Sequence, residues 1–286
     1  MLRSVQAGTA EVRKEAASIW PDVDWSDAVL ERGAFHDVLI AASVVARLSR
    51  SRFAADAVPA QASFLRRIRG KLPTLDVPDV VGDPMRWSKT RAGVLLSFLP
   101  GQSRSVGEAL PADELAHVLD VVHNTDRSVI EDEVVRSWCG GERFIQIVAD
   151  EIGPALSAKA RTTAVRVVAE LLEAEAQAPH CVVHGDLTPF NIRWEGDRAI
   201  GLLDWDFAAI GDPALDLAGI LTTVGTDVAR VIGDSASVER ATLHRATFPL
   251  QIACAGLLHD DDRLRKTGIR NFEERLRRGV LHWPAG

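Results

Sequence analysis

Residues 181–220 read CVVHGDLTPFNIRWEGDRAIGLLDWDFAAIGDPALDLAGI. Two short apolar runs, Val182-Val183 and residues 200–203, each lead into charged loops, the pattern of two strand ends that present polar side chains. Three acceptors stand out: Asp186, Asn191 and Asp204. Alone, each Asp or Asn reads as a turn residue. Framed together, two carboxylates and an amide make a different set. Hard oxygen donors suit Mg²⁺, which keeps several of its waters. A carboxylate not held by metal can orient a hydroxyl and take its proton. These are the parts that phosphoryl transfer from a nucleotide needs, because that transition state asks for positioning and charge neutralisation.

On the N-terminal side, residues 1–25 read as a helix ending at Trp20-Pro21, and residues 38–45 as a β-hairpin. Residues 59–70 have apolar positions at helical spacing, with Gly70 as the stop. Pro73 and Pro78 bracket a loop, and residues 94–99 read as a buried strand closed by Pro100-Gly101, the expected hinge. Beyond it the pattern turns helical: residues 112–124, one or two long helices over 142–177, and most of 214–278. Strands first and helices after give an α+β plan with lobes at 1–100 and 101–286.

The chain has 286 residues, 47% hydrophobic and 26% charged, enough to bury a sizeable core. The net charge of −7 argues against a nucleic-acid partner and permits a cationic ligand. No run is apolar for long enough to span a membrane, and residues 1–20 interleave charges where a signal peptide would be apolar. Cys139, Cys181 and Cys254 lie far apart, and their odd number fits reduced thiols in a cytoplasmic protein.

The motif HGDLTPFN resembles the H-G-D-x-x-x-x-N catalytic loop of the aminoglycoside phosphotransferase family, relatives of protein kinases, and LLDWDFAAIGDPALDLA resembles that family's metal-binding strand and following loop. SVVARLSRS, QASFLRRIRGKLPTLDVPDVV, GVLLSFLPGQ and LAHVLDVVHN extend the resemblance over residues 28–260. It implies a protein-kinase-like two-lobed fold: a small N-terminal β-sheet lobe with one helix, and a larger, mainly helical C-terminal lobe. It implies ATP or GTP with Mg²⁺ as cofactors, and an antibiotic kinase conferring resistance. Asp186 would be the catalytic base, and Asn191 and Asp204 the metal ligands. His184, Asp212 and Asp216 would be structural supports; Asp212 and Asp216 also read as an N-cap and a first-turn acid. Residues 33–37, with Gly33, Phe35 and His36, would cover the nucleotide phosphates.

The family's phosphate-binding lysine falls at Arg47 and its paired helix glutamate at Gln61. Such a pair keeps the cation and loses the ion pair, and Arg47 alone also reads as a strand-edge charge. A single glycine at Gly33 makes a poor glycine-rich loop.

For the acceptor, residues 35–65 and TFPLQIACAGLLHDDD look like the branch acting on viomycin- and capreomycin-type peptides, and the Pro73 to Pro78 linker resembles aminoglycoside 2″-phosphotransferases. A cationic antibiotic is the implied partner. Nucleoside-antibiotic, macrolide and metabolic kinases, and an inactive kinase-like binding module, are the alternatives. The acidic runs at 131–133 and 260–262 read as solvated faces or as a wall for a polycation, with Asp260 and Asp261 the better placed. Asp206 reads as a second metal or acceptor contact, or as a surface acid. Trp138 and Trp283 read as buried rings or acceptor contacts. The chain fits a monomer or a homodimer.

Overall fold

The structure, a computed structural model, describes residues 2–105, 107–131 and 134–282. Asp132 and Glu133 of the first acidic run, and Trp283, lie outside the described residues. The chain divides into two compact units, Met1–Arg69 with Val77–Pro100, and Gly70–Asp76 with Gly101–Gly286.

The first unit holds α1 (Leu2–Ile19), β1 (Val29–Arg32), β2 (His36–Ile40), β3 (Val44–Ser49), α2 (Arg52–Ile68), β4 (Val80–Arg86) and β5 (Ala92–Ser97). The strands form one antiparallel sheet in the order β1-β2-β3-β5-β4. Alternation along each strand sorts the side chains onto two faces. Leu39, Ala46, Leu48 and Leu95 share one face, where they pack with Val12 and Ala16 of α1 and with Trp25. On that face Arg91 bridges Glu15 of α1 and Asp37 of β2. That face of the sheet is therefore closed by an apolar layer and by the Arg91 bridge between α1 and β2.

Two expectations need correction here. The helix expected from residue 59 starts at Arg52, where Ser51 Oγ accepts from the Ala54 N–H at 3.1 Å. Pro59 lies inside it and gives up one backbone hydrogen bond. The apolar face of Ala54, Ala55, Val58, Ala62 and Leu65, all buried, outweighs that loss. Strands β1 and β4 also carried no clear signal. β4 is an edge strand, half-buried at best, that contains Gly82 and Pro84, and edge strands tolerate both.

The second unit holds α3 (Ala112–His123), α4 (Phe144–Ile147), α5 (Ala158–Gln177), β6 (Cys181–Val183), β7 (Ile192–Glu195), β8 (Arg198–Leu202), β9 (Ala209–Gly211), α6 (Ala214–Val224), α7 (Thr226–Ile232), α8 (Ser235–Leu258) and α9 (Asp262–Arg277). Over 142–177 there is one long helix, α5. Before it lie short 3₁₀, α and π turns, the last of them Gly153–Ala155. β6 pairs with β9 and β7 with β8, both antiparallel. Residues 70–76 join this unit because Asp76 bridges Gly201: its N–H donates to Ile200 O and its carbonyl accepts from Leu202 N–H, both at 2.9 Å. All three cysteines are free thiols. No helix among the described residues is long and apolar enough to cross a membrane.

Candidate active site

The loop between β6 and β7 carries His184, Asp186 and Asn191, and Asp204 lies two residues beyond the end of β8. Its shape follows from backbone contacts. Gly185 has φ +83°, and a Cβ there would meet the Phe207 carbonyl oxygen at 2.2 Å, so only glycine fits. Gly219 on α6 admits the Leu187 carbonyl oxygen at an equally short 2.3 Å from the site of its missing Cβ. The loop is thus clasped between the segment after β8 and the middle of α6.

Asn191 joins the loop to the strand. Its carbonyl accepts the Leu203 N–H at 2.8 Å, which brings Asp204 beside it. Its Nδ2 donates to the Asp186 carbonyl at 2.8 Å and to Asp186 Oδ2 at 3.1 Å. With the amide nitrogen engaged on Asp186, Oδ1 is the side-chain atom that could serve a cation. Asp204 sits in the left-handed region at φ 58°, where aspartate is one of the few tolerated residues, and its side chain is exposed.

Burial, then the negative charge of Asp204, push the Asp186 carboxyl up to about 7. Two carboxylates held this close without a cation repel each other. The cost of ionising Asp186 here is what a divalent cation on Asp204 would relieve.

His184 is fully buried and spends both ring nitrogens on structure. Nε2 donates to the Leu203 carbonyl at 2.8 Å, and Nδ1 accepts the Asp186 N–H at 3.3 Å. Burial favours the neutral imidazole and lowers its pKa. Its ring lies 4.5 Å from that of Trp205. Asp216, at the start of α6, accepts the N–H groups of His184 and Gly185, both at 2.9 Å. His123 of α3 reaches the same carboxylate at 3.1 Å. Asp212 accepts the Ala214 N–H at 3.0 Å and Arg240 Nε at 2.9 Å. Burial opposes its ionisation, but the hydrogen bonds from His244, Arg240 and Ala214 win and hold it at about 2.

Asp206 is half-buried in the loop after β8. The 260–262 run has local uses. Asp260 turns the α8–α9 corner at φ 56°, Asp261 caps α9 through the Leu264 N–H, and Asp262 pairs with Lys266 and Arg265.

In the first unit, Gly33, Ala34 and Phe35 form the turn between β1 and β2, closed by Gly33 N–H to His36 O at 2.9 Å. Phe35 O accepts the Arg50 N–H. A Cβ at Gly33 would make only ordinary contact, at 3.5 Å, so glycine is not required there. Arg47 Nη2 donates to His36 Nδ1 at 3.2 Å. Gln61 is half-buried on α2. Asp37 faces the opposite side, toward Arg91.

A sequence profile of the phosphotransferase enzyme family (APH) matches residues 33–247, three quarters of the chain. The chain belongs to this family.

This phosphotransferase is 29% identical over 266 residues to viomycin phosphotransferase of Streptomyces vinaceus, covering 85% of the chain and 91% of the relative. It is 30% identical over 163 residues to homoserine kinase of Gluconobacter oxydans, covering 52% of the chain and 48% of that enzyme. Among solved structures it resembles the GDP and kanamycin complex of APH(2")-IIia, with a TM-score of 0.75, 18% identity, and 94% and 99% of the two chains covered. It also resembles macrolide 2'-phosphotransferase type I, with a TM-score of 0.68, 18% identity, and coverages of 93% and 97%. The fold is the kinase-like α+β fold of these enzymes, with a small antiparallel-sheet part and a larger helical part.

In this phosphotransferase no cluster of three or more His, Cys, Asp or Glu side chains able to hold a metal occurs among the described residues. Mg²⁺ in general takes one or two protein oxygen donors, with water and phosphate for the rest; Asn191 Oδ1 and the exposed Asp204 carboxylate are the oxygens here that could serve one.

His123 and Gly219 also hold the loop, and neither stands out in the sequence as a site residue. His123 lies 93 positions from its partner Asp216, so no local pattern marks it; only its place at the end of an amphipathic helix is visible. Gly219 was visible as a glycine inside a helical run, which signals a close packing partner.

Proposed function

We propose that this phosphotransferase moves the γ-phosphoryl group of ATP or GTP onto a hydroxyl of a cationic antibiotic in the cytoplasm. A tuberactinomycin peptide of the viomycin–capreomycin type is the first acceptor and an aminoglycoside the second. The observation that carries the reading is the Asp186 carboxylate, held by Asn191 Nδ2 beside Asp204 in a loop that His184 and Asp216 fix from behind.

In the proposed reaction Asp186 orients the acceptor hydroxyl and takes its proton as the oxygen attacks phosphorus. The bond from the γ-phosphorus to its bridging oxygen breaks, and the nucleoside diphosphate leaves in line. Asn191 and Asp204 would hold Mg²⁺, which neutralises charge on the phosphates. His184 and Asp216 keep the loop geometry and move no proton. In the first unit, Arg47 is the residue for the nucleotide phosphates. Esterification gives the drug a dianionic group that spoils its fit to its target.

The choice of acceptor is supported by the viomycin phosphotransferase likeness, which spans 91% of that enzyme. The homoserine kinase likeness, over about half of each chain, favours a metabolic acceptor as the second reading.

Nucleoside-diphosphate release tests the proposal, with ATP and GTP over viomycin, capreomycin, several aminoglycosides, a macrolide, capuramycin, choline and homoserine. The proposal expects turnover on an antibiotic and none with Asp186→Asn. Turnover on homoserine alone would replace it with the metabolic reading.

A further inference from the structure

The family resemblance pairs the cation at Arg47 with residue 61 of α2, and here residue 61 is a neutral glutamine. The structure offers Arg47 a different anchor. Val38 stands opposite Arg47 and His36 opposite Ser49 in the β2–β3 register. His36 and Arg47 therefore share a face, one diagonal step apart, a distance that a long side chain spans. Arg47 Nη2 does span it, reaching His36 Nδ1 at 3.2 Å.

The chemistry of this contact is one-directional. A guanidinium only donates, so the imidazole nitrogen it meets must accept, and the ring is neutral with its proton on Nε2. A carboxylate anchor would position the cation and neutralise it together. A neutral imidazole positions the guanidinium through the hydrogen bond alone. The ring is itself well fixed: His36 is 6% exposed, and its own carbonyl closes the Gly33 turn.

The same turn explains the need for a charged contact. Gly33 takes no glycine-only conformation, and its N–H is spent on His36 O. The turn is short and closed on itself, where a glycine-rich loop would wrap a phosphate. Asp37, the acid next in sequence, lies on the other face with Arg91.

We infer that His36 is a positioning residue for Arg47, fixing its guanidinium as a contact for the phosphates of a nucleoside triphosphate. This rests on the proposed role of the first unit in nucleotide binding.

Titration calorimetry with Mg·ATP and Mg·GTP tests it, on wild type and on His36→Leu, His36→Gln, Arg47→Leu and the His36→Leu/Arg47→Leu double variant. Losing either partner of a hydrogen bond to a charged group should weaken nucleotide binding about ten-fold. The double variant should bind no more weakly than Arg47→Leu alone, because the two act as one unit. His36→Gln, which keeps an acceptor oxygen, should stay within about three-fold of wild type. Where His36→Leu loses its cooperative melt, His36→Phe, which keeps a ring without the acceptor, takes its place and should show the same roughly ten-fold loss. Wild-type affinity in both His36→Leu and His36→Phe would overturn the inference while leaving the nucleotide reading intact. So would losses that add in full in the double variant. Absence of nucleotide binding by wild type would overturn the nucleotide reading, and this inference with it.

Discussion

The carbonyl of Asn191 accepts the backbone N–H of Leu203 at 2.8 Å. This one bond joins the loop that carries Asp186 to the segment after β8 that carries Asp204. It converts two motifs twelve or more residues apart in the chain into one set of oxygens. Side-chain identity supplies the chemistry, and this backbone contact supplies its placement.

Asp186→Asn removes the proton acceptor and spares the proposed metal donors. Turnover should fall by about 10²–10⁴-fold, the usual contribution of a general base. Nucleotide affinity should stay within a few-fold of wild type. Steady-state rates together with calorimetry check both halves; an unchanged rate would remove Asp186 from the base role.

Asp204→Ala removes an exposed carboxylate and leaves alanine at a positive φ. The expected outcome is a melting temperature lowered by a few degrees at most, with a cooperative melt kept, and loss of the magnesium dependence of nucleotide binding. Titrating Mg²⁺ at fixed ATP measures it. Nucleotide affinity that still rises with Mg²⁺ as in wild type would remove Asp204 from the metal site.

Two glycines should behave in opposite ways. Gly185→Ala places a Cβ 2.2 Å from the Phe207 carbonyl oxygen at a positive φ, where the backbone itself must shift. A loss of at least about 2 kcal/mol is expected. Gly33→Ala meets only ordinary contact at 3.5 Å and should lie within about 1 kcal/mol of wild type, on the stable side if anywhere. Thermal unfolding of the two variants separates a required glycine from an incidental one.

Asp212 gives a pH dependence with a defined sign. Its carboxyl titrates near 3.8 when exposed and at about 2 in the folded protein. A lowered pKa stabilises the fold fully above about pH 4, and that contribution disappears as pH falls toward 2. Its size is of order 2 kcal/mol. Asp212→Asn should be less stable at neutral pH and lose less than wild type between pH 4 and 2. Denaturant melts across that range would contradict the assignment if both proteins fell in parallel.

The loop that carries Asp186 was legible in the sequence because its determinants are local. HGDLTPFN places Asp186 and Asn191 in one loop, and the apolar run before Asp204 marks a strand end. The long helices of the second unit were legible for the same reason, their apolar positions repeating at helical spacing. What supports the loop was less legible. His123 meets Asp216 from 93 positions away. Such a pair exists only after α3 and α6 come together. The start of α2 was hidden because Pro59 looked like a helix beginning, while the true cap, Ser51, followed directly on a strand. Arg47 was visible as a departure from the family pattern. Its partner was not, because a cross-strand diagonal depends on register, which two hydrophobic runs do not fix to the residue.

The central claim is that the Asp186 loop transfers a phosphoryl group to an antibiotic hydroxyl. Mass spectrometry of the drug after incubation with Mg·ATP and the enzyme tests it most directly, with viomycin, capreomycin and kanamycin as acceptors and Asp186→Asn in parallel. The account predicts a gain of one phosphoryl group on at least one drug with wild type, and none with the variant. Unmodified drugs throughout, from an enzyme that binds Mg·ATP, would contradict the antibiotic assignment. Equal modification by Asp186→Asn would contradict the mechanism.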